Sequence, residues 1–97
     1  MVNNRIALVV GASRGIGLAI TQQLLRDAAI QRVYASYRHP GTAAGLLEIN
    51  DQRLQTISAD ISDPADMQGI AAAIQANEDR PDLVINAAGI LHEQDLQ

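Results

Sequence analysis

The sequence predicts an α/β protein: a parallel sheet with helices on both faces. Short apolar runs alternate with amphipathic stretches along the whole chain. The first run, residues 6–10, is apolar at every position, and a glycine cluster separates it from the first amphipathic stretch. Regular alternation of this kind implies right-handed crossovers between parallel strands. A strand without polar alternation belongs where both faces of a sheet are covered.

Ile6-Ala7-Leu8-Val9-Val10 is the first strand. A helix is predicted over residues 15–27, with Ile16, Ala19, Ile20 and Leu24 at helical spacing and Thr21, Gln22, Gln23 and Arg26 on the wet side. Residues 33–37 are rich in strand formers and stop at the turn signal Arg38-His39-Pro40-Gly41. Residues 42–49 form a short helix carrying Ala43, Leu46 and Leu47, weakened by two glycines nearby. Residues 54–59 form a third strand. Asp63 then caps a helix, Pro64 suits its first position and Asp66 favours its positive start. Met67, Ile70, Ala71 and Ile74 make the apolar stripe of that helix, and Asn77 closes it. Pro81 precedes a fourth strand, Leu83-Val84-Ile85-Asn86, which leads into Ala87-Ala88-Gly89.

A length of 97 residues bounds the chain to one small domain. With 47% hydrophobic and 19% charged residues it is globular rather than disordered. There is no cysteine, which excludes disulfide frameworks, thiolate metal sites and cysteine nucleophiles. All seven basic residues are arginine, so no mechanism that needs a lysine can be completed by these residues alone. A net charge of -4 with two tyrosines and no Phe or Trp excludes nucleic acid as a partner. The apolar run at residues 6–10 is far too short to span a membrane, and no export signal is visible, so the expected location is the cytoplasm.

Gly11-Ala12-Ser13-Arg14-Gly15-Ile16-Gly17 lies between the first strand and the first helix. Glycines there allow a sharp turn, a close backbone approach to phosphate and tight packing of helix on strand. The free N–H groups at the helix start suit a pyrophosphate. The same glycines would also serve a tight turn with no ligand. Their spacing is G-x-x-x-G-x-G. Asp60-Ile61 follows the third strand, and Asn86-Ala87-Ala88-Gly89 follows the fourth. Singly, Asp60 could begin a turn with Ser62 and Asp63, and Asn86 could end a strand. In order, at the carboxyl ends of successive strands, they resemble the N-terminal half of a short-chain dehydrogenase/reductase, which implies a Rossmann-type parallel sheet with helices on both faces and a half-sheet order of 3-2-1-4.

The resemblance implies a dinucleotide bound by Gly11, Ser13, Arg14, Gly15, Ile16 and Gly17 in the glycine loop. It implies that Asp60 holds the adenine amino group and the backbone of Ile61 a ring nitrogen, with Asn86, Ala87, Ala88 and Gly89 completing the site. Two departures stand out. Val10 replaces the family's usual Thr, whose hydroxyl ties the glycine loop to neighbouring backbone, and Ala87 replaces a second Asn. Ribose specificity is set near the end of the second strand, where an acid would accept from a 2′-hydroxyl. Ser36, Tyr37 and Arg38 occupy that region. Tyr37 and Arg38 are assigned to the cofactor, with Arg38 and Arg14 offering charge to a 2′-phosphate, so NADP(H) is expected in preference to NAD(H). Arg38 could otherwise be a solvated turn residue. His39 and His92 are expected at the surface, and Asp79 and Asp82 are expected to do no more than stay wet.

Family members transfer hydride between nicotinamide and a carbonyl or alcohol, using Ser, Tyr and Lys. Tyr34-Ala35-Ser36-Tyr37-Arg38 offers Arg at the lysine spacing, but arginine cannot supply a tunable ammonium, and no catalytic residue is assigned here. Residues 1–97 are therefore expected to be the N-terminal part of a single NAD(P)-binding domain, inactive alone. The complete protein would take a small carbonyl or alcohol substrate and form a homo-oligomer. Two other readings stand beside this one: a non-catalytic NAD(P)-sensing or signalling module of the same fold, and a structural domain with an empty glycine loop. Leu83 to Ile85 would leave a flat apolar sheet edge.

Overall fold

The computed structural model describes residues 5–13 and 15–87. Four strands, β1 (Arg5–Val10), β2 (Ile30–Tyr37), β3 (Leu54–Ser58) and β4 (Leu83–Asn86), form one sheet in the order β3-β2-β1-β4. All three pairings are parallel, as expected. Helix α1 (Gly15–Leu25) joins β1 to β2; a 3₁₀ turn (Pro40–Thr42) and the short α2 (Ala44–Leu47) join β2 to β3; α3 (Pro64–Ala76) joins β3 to β4.

The unbroken apolarity of β1 has the expected cause. Ile6, Leu8 and Val10 pack with Tyr34, Ile70 and Ile74 under α3, while Ala7 and Val9 pack with Val33, Ala35 and Leu46 on the other face. β2 begins at Ile30, earlier than its apolar run suggests, because buried Ile30 pairs with Arg5 across polar Gln31 and Arg32.

The buried face of α1 is the expected one only in part: Ile20 and Leu24 are half-buried against the core, but the other positions differ. Thr21 is 0% exposed and Gly17 is buried, whereas Ile16 is 39% exposed and Ala19 also faces out. Gly17 must abut Gly11, and that contact fixes the rotation of the helix, bringing the next turn's Thr21 beneath it. The Thr21 hydroxyl donates to the Gly17 carbonyl at 2.9 Å, so burial leaves it satisfied. On α3 only Ile70 and Ile74 of the expected stripe are buried; Met67, 42% exposed, and Ala71 border an open groove beside Leu8. β4 forms the sheet edge, with Val84 60% exposed.

The capping reading of α3 holds: the Asp63 carboxylate accepts from the Ala65 amide, and Asn77 is the C-cap. The chain then closes in a Schellman turn, with the Glu78 amide bonded to the Gln75 carbonyl and the Asp79 amide to the Ile74 carbonyl. Glu78 carries the positive φ of 57° that such a turn demands and that glycine adopts without strain. Glu78→Gly is expected to raise stability by ~0.5–1 kcal/mol, read from the urea midpoint, and an unchanged or lower midpoint would refute it.

That turn corrects the expectation for Asp79 and Asp82. The Asp79 carboxylate accepts from the Tyr34 hydroxyl at 2.5 Å and forms an ion pair with Arg32 Nε at 2.9 Å, close in space but not aligned as a hydrogen bond. Asn77 Nδ2 donates to the same Tyr34 oxygen at 2.9 Å and to Gln55 at 3.0 Å. Asp82 clasps β1 from both sides: its carboxylate accepts from the Ile6 amide at 2.9 Å, and its amide donates to the Ile6 carbonyl at 2.8 Å.

Arg53 is a second tie that the sequence reading did not single out. Its guanidinium donates to the carbonyls of Leu25, Asp27 and Ile30, capping the end of α1 with positive charge. Asp51 orients it through bonds of 2.9 and 3.2 Å, and those hydrogen bonds hold the Asp51 carboxyl below its usual range.

Candidate functional site

The four parallel strands end side by side at the carboxyl edge of the sheet, and at each end stands a residue of one of the singled-out motifs. In open parallel sheets this is the edge where ligands sit. β1 runs into Gly11, β2 ends at Tyr37 before Arg38, β3 runs into Ala59 and Asp60, and β4 ends at Asn86, which pairs with Val10. Buried Ala87 follows. Arg14, Ala88 and Gly89 lie outside the described residues, as does His92.

The glycine turn is built from backbone. Gly11 and Gly15 have φ of 81° and 62°, values that side-chain-bearing residues rarely take. Gly17 faces the turn so closely that a Cβ there would stand 2.0 Å from the Gly11 carbonyl oxygen. The first turn of α1 holds no acidic residue, so nothing on it opposes an anion at the helix start. Ser13, Gly15 and Ile16 are partly or fully exposed around this opening. Buried Ser36 ties the loop from the neighbouring strand: its Oγ accepts from the Gly11 amide at 3.1 Å and its carbonyl from the Ala12 amide at 2.7 Å.

The ends of β2 and β3 meet at a charge pair. Arg38, its side chain 68% exposed, places Nε 3.6 Å from Asp60 Oδ2. Asp60 Oδ1 is occupied by the Ser62 hydroxyl at 2.7 Å and the Ser62 amide at 3.0 Å. These bonds, and then the Arg38 and His39 charges, hold the Asp60 carboxyl below its usual range. So Asp60 does begin a turn with Ser62, while its second oxygen faces Arg38. Ile61 is half-buried against the core under α3, and His39 is exposed. No group of metal-binding side chains occurs among the described residues.

Residues 5–97 match the sequence model of the family described as short chain dehydrogenase. The chain belongs to the short-chain dehydrogenase family. Among relatives of this family member, the rhamnolipid-biosynthesis 3-oxoacyl-(acyl-carrier-protein) reductase of Pseudomonas aeruginosa is 40% identical over 89 residues, covering 88% of this chain and 33% of that protein. The (+)-neomenthol dehydrogenase of Arabidopsis thaliana is 34% identical over 93 residues, covering 89% of this chain and 31% of its own. The crystal structure of Sniffer from Caenorhabditis elegans superposes with a TM-score of 0.78 at 28% identity, over 84% of this chain and 35% of that one. The chain thus spans about a third of the length of the curated relatives it matches. These neighbours share the Rossmann-like sheet. No helix among the described residues is long and apolar enough to cross a membrane.

Proposed function

We propose that these residues form the dinucleotide-binding portion of an NADP(H)-dependent short-chain oxidoreductase that moves hydride between nicotinamide and a carbonyl or alcohol. The observation that carries the reading is the convergence, at one sheet edge, of an acid-free helix start behind a positive-φ glycine turn with the exposed guanidinium of Arg38. The amides of the loop at Ser13, Arg14, Gly15, Ile16 and Gly17 would receive the pyrophosphate. Tyr37 and Arg38 would bound the adenosine ribose, and Asp60 and Ile61 the adenine. Asn86, Ala87, Ala88 and Gly89 would flank the cofactor where β4 ends. When bound, the nicotinamide supplies or accepts the hydride.

Preference for the 2′-phosphate rests on charge. No carboxylate ends β2, and Arg38 meets Asp60 through Nε, so the fork of its terminal nitrogens is available for an anion. The relatives' names, a 3-oxoacyl reductase and a menthol-type dehydrogenase, suit carbonyl and alcohol substrates. No lysine occurs in these 97 residues, so the reading gives them cofactor binding and leaves proton transfer to Ser, Tyr and Lys elsewhere in the protein. Residues 1–97 would then be one part of a single domain.

Titration of the protein with NADPH and NADH tests this. Arg38→Asp is expected to weaken NADPH by about 30-fold while leaving NADH within about twofold. Equal losses for both would move the phosphate site away from Arg38. No saturable binding of either by the unsubstituted protein would remove the reading.

A further inference from the structure

The reading above employs Tyr37 and Arg38 but gives no task to the residue before them. Ser36 is 1% exposed at the end of β2, where a hydroxyl must find a partner to justify its burial. It finds one in the glycine loop. Its Oγ accepts from the Gly11 amide, 25 positions away in sequence, while its carbonyl takes the next amide, that of Ala12. Both amides that follow β1 are thereby bonded to β2, and neither is offered to a ligand. Val10 carries no hydroxyl, so β1 offers no such side-chain tie, and the one that Gly11 receives comes from β2.

We propose that Ser36 is a positioning residue for the glycine loop: by holding Gly11 in its left-handed conformation, it sets where the amides at the start of α1 stand relative to Arg38, which follows the same strand end. The inference rests on the dinucleotide reading of this site, and Ser36 itself touches no ligand. A neutral hydrogen bond to a buried amide gives a modest effect, so the test must separate loop placement from general weakening.

The experiment compares the protein with its Ser36→Ala variant, titrating each with NADPH and with adenosine 2′-monophosphate, which has the phosphate meant for Arg38 but no pyrophosphate. Ser36→Ala is expected to weaken NADPH by about tenfold and the monophosphate by less than about twofold. Hydrogen exchange supplies the second measurement: the Gly11 amide should exchange faster in the variant, and the Ala12 amide, bonded to a backbone carbonyl, should change less. Unchanged NADPH binding, equal losses for both ligands, or unaltered Gly11 exchange would each overturn the assignment. If the unsubstituted protein binds neither ligand, the dinucleotide reading falls, and Gly11 exchange still decides whether Ser36 holds the loop.

Discussion

Gly17→Ala is expected to abolish measurable dinucleotide binding and to lower stability by ~3 kcal/mol, at the upper end of what overpacking costs. The added Cβ would lie 2.0 Å from the Gly11 oxygen, 2.9 Å from its carbonyl carbon and 3.0 Å from Ala12 Cα. All three are backbone atoms, so no side chain can swing aside. Either α1 lifts off the end of β1, exposing Thr21 and opening the core beneath, or the turn unwinds and scatters its amides. A thermal melt and an NADPH titration check both parts. Gly69→Ala provides the control: a Cβ at Gly69 meets nothing within 4 Å, so the exchange should add ~0.5–1 kcal/mol by helix propensity alone. A Gly17→Ala protein that melts and binds like the unsubstituted one would show the close approach to be wrong.

The second large effect lies at the Tyr34 network. Asp79→Ala removes the acceptor of a fully buried phenol and the counter-charge of Arg32, and is expected to cost about 3 kcal/mol in urea unfolding at neutral pH. Tyr34→Phe, which leaves the Asp79–Arg32 pair in place, should cost about 1 kcal/mol. The two variants also differ from the parent in alkali. Burial, and then the Asp79 hydrogen bond, push the Tyr34 phenol above its usual 10.0. The folded chain therefore keeps a proton that the unfolded chain has released, and stability falls as pH rises above 10.0 toward the raised value. Tyr34→Phe should flatten this alkaline loss, and an identical slope in parent and variant would remove Tyr34 as its source.

The placement of the motifs was legible where motif and strand end coincide. Gly11, Arg38, Asp60 and Asn86 each stand just past or at the end of a strand that local pattern reveals, and a parallel sheet gathers all such ends on one side. Their grouping at one edge was therefore legible. Their mutual contacts were not. That Arg38 meets Asp60, and that Ser36 holds Gly11, depends on the lateral distance between strand ends and on their register, neither of which periodicity encodes.

By itself the sequence determined the alternation of strand and helix, the parallel sheet, the caps of α3 and the glycine turn, because these rest on local pattern and on the crossovers a parallel sheet permits, while the strand order came with the family resemblance. Only the tertiary structure decided the exact rotation of α1: Ile20 and Leu24 pack inward as their spacing predicts, but the close contact of Gly17 with Gly11 buries Thr21 and leaves Ile16 outside. It also decided what Asp79, Asp82 and Arg53 do. A charged residue in a polar turn looks solvated until the fold brings Tyr34 and Arg32, the start of β1, or the end of α1 within hydrogen-bonding distance.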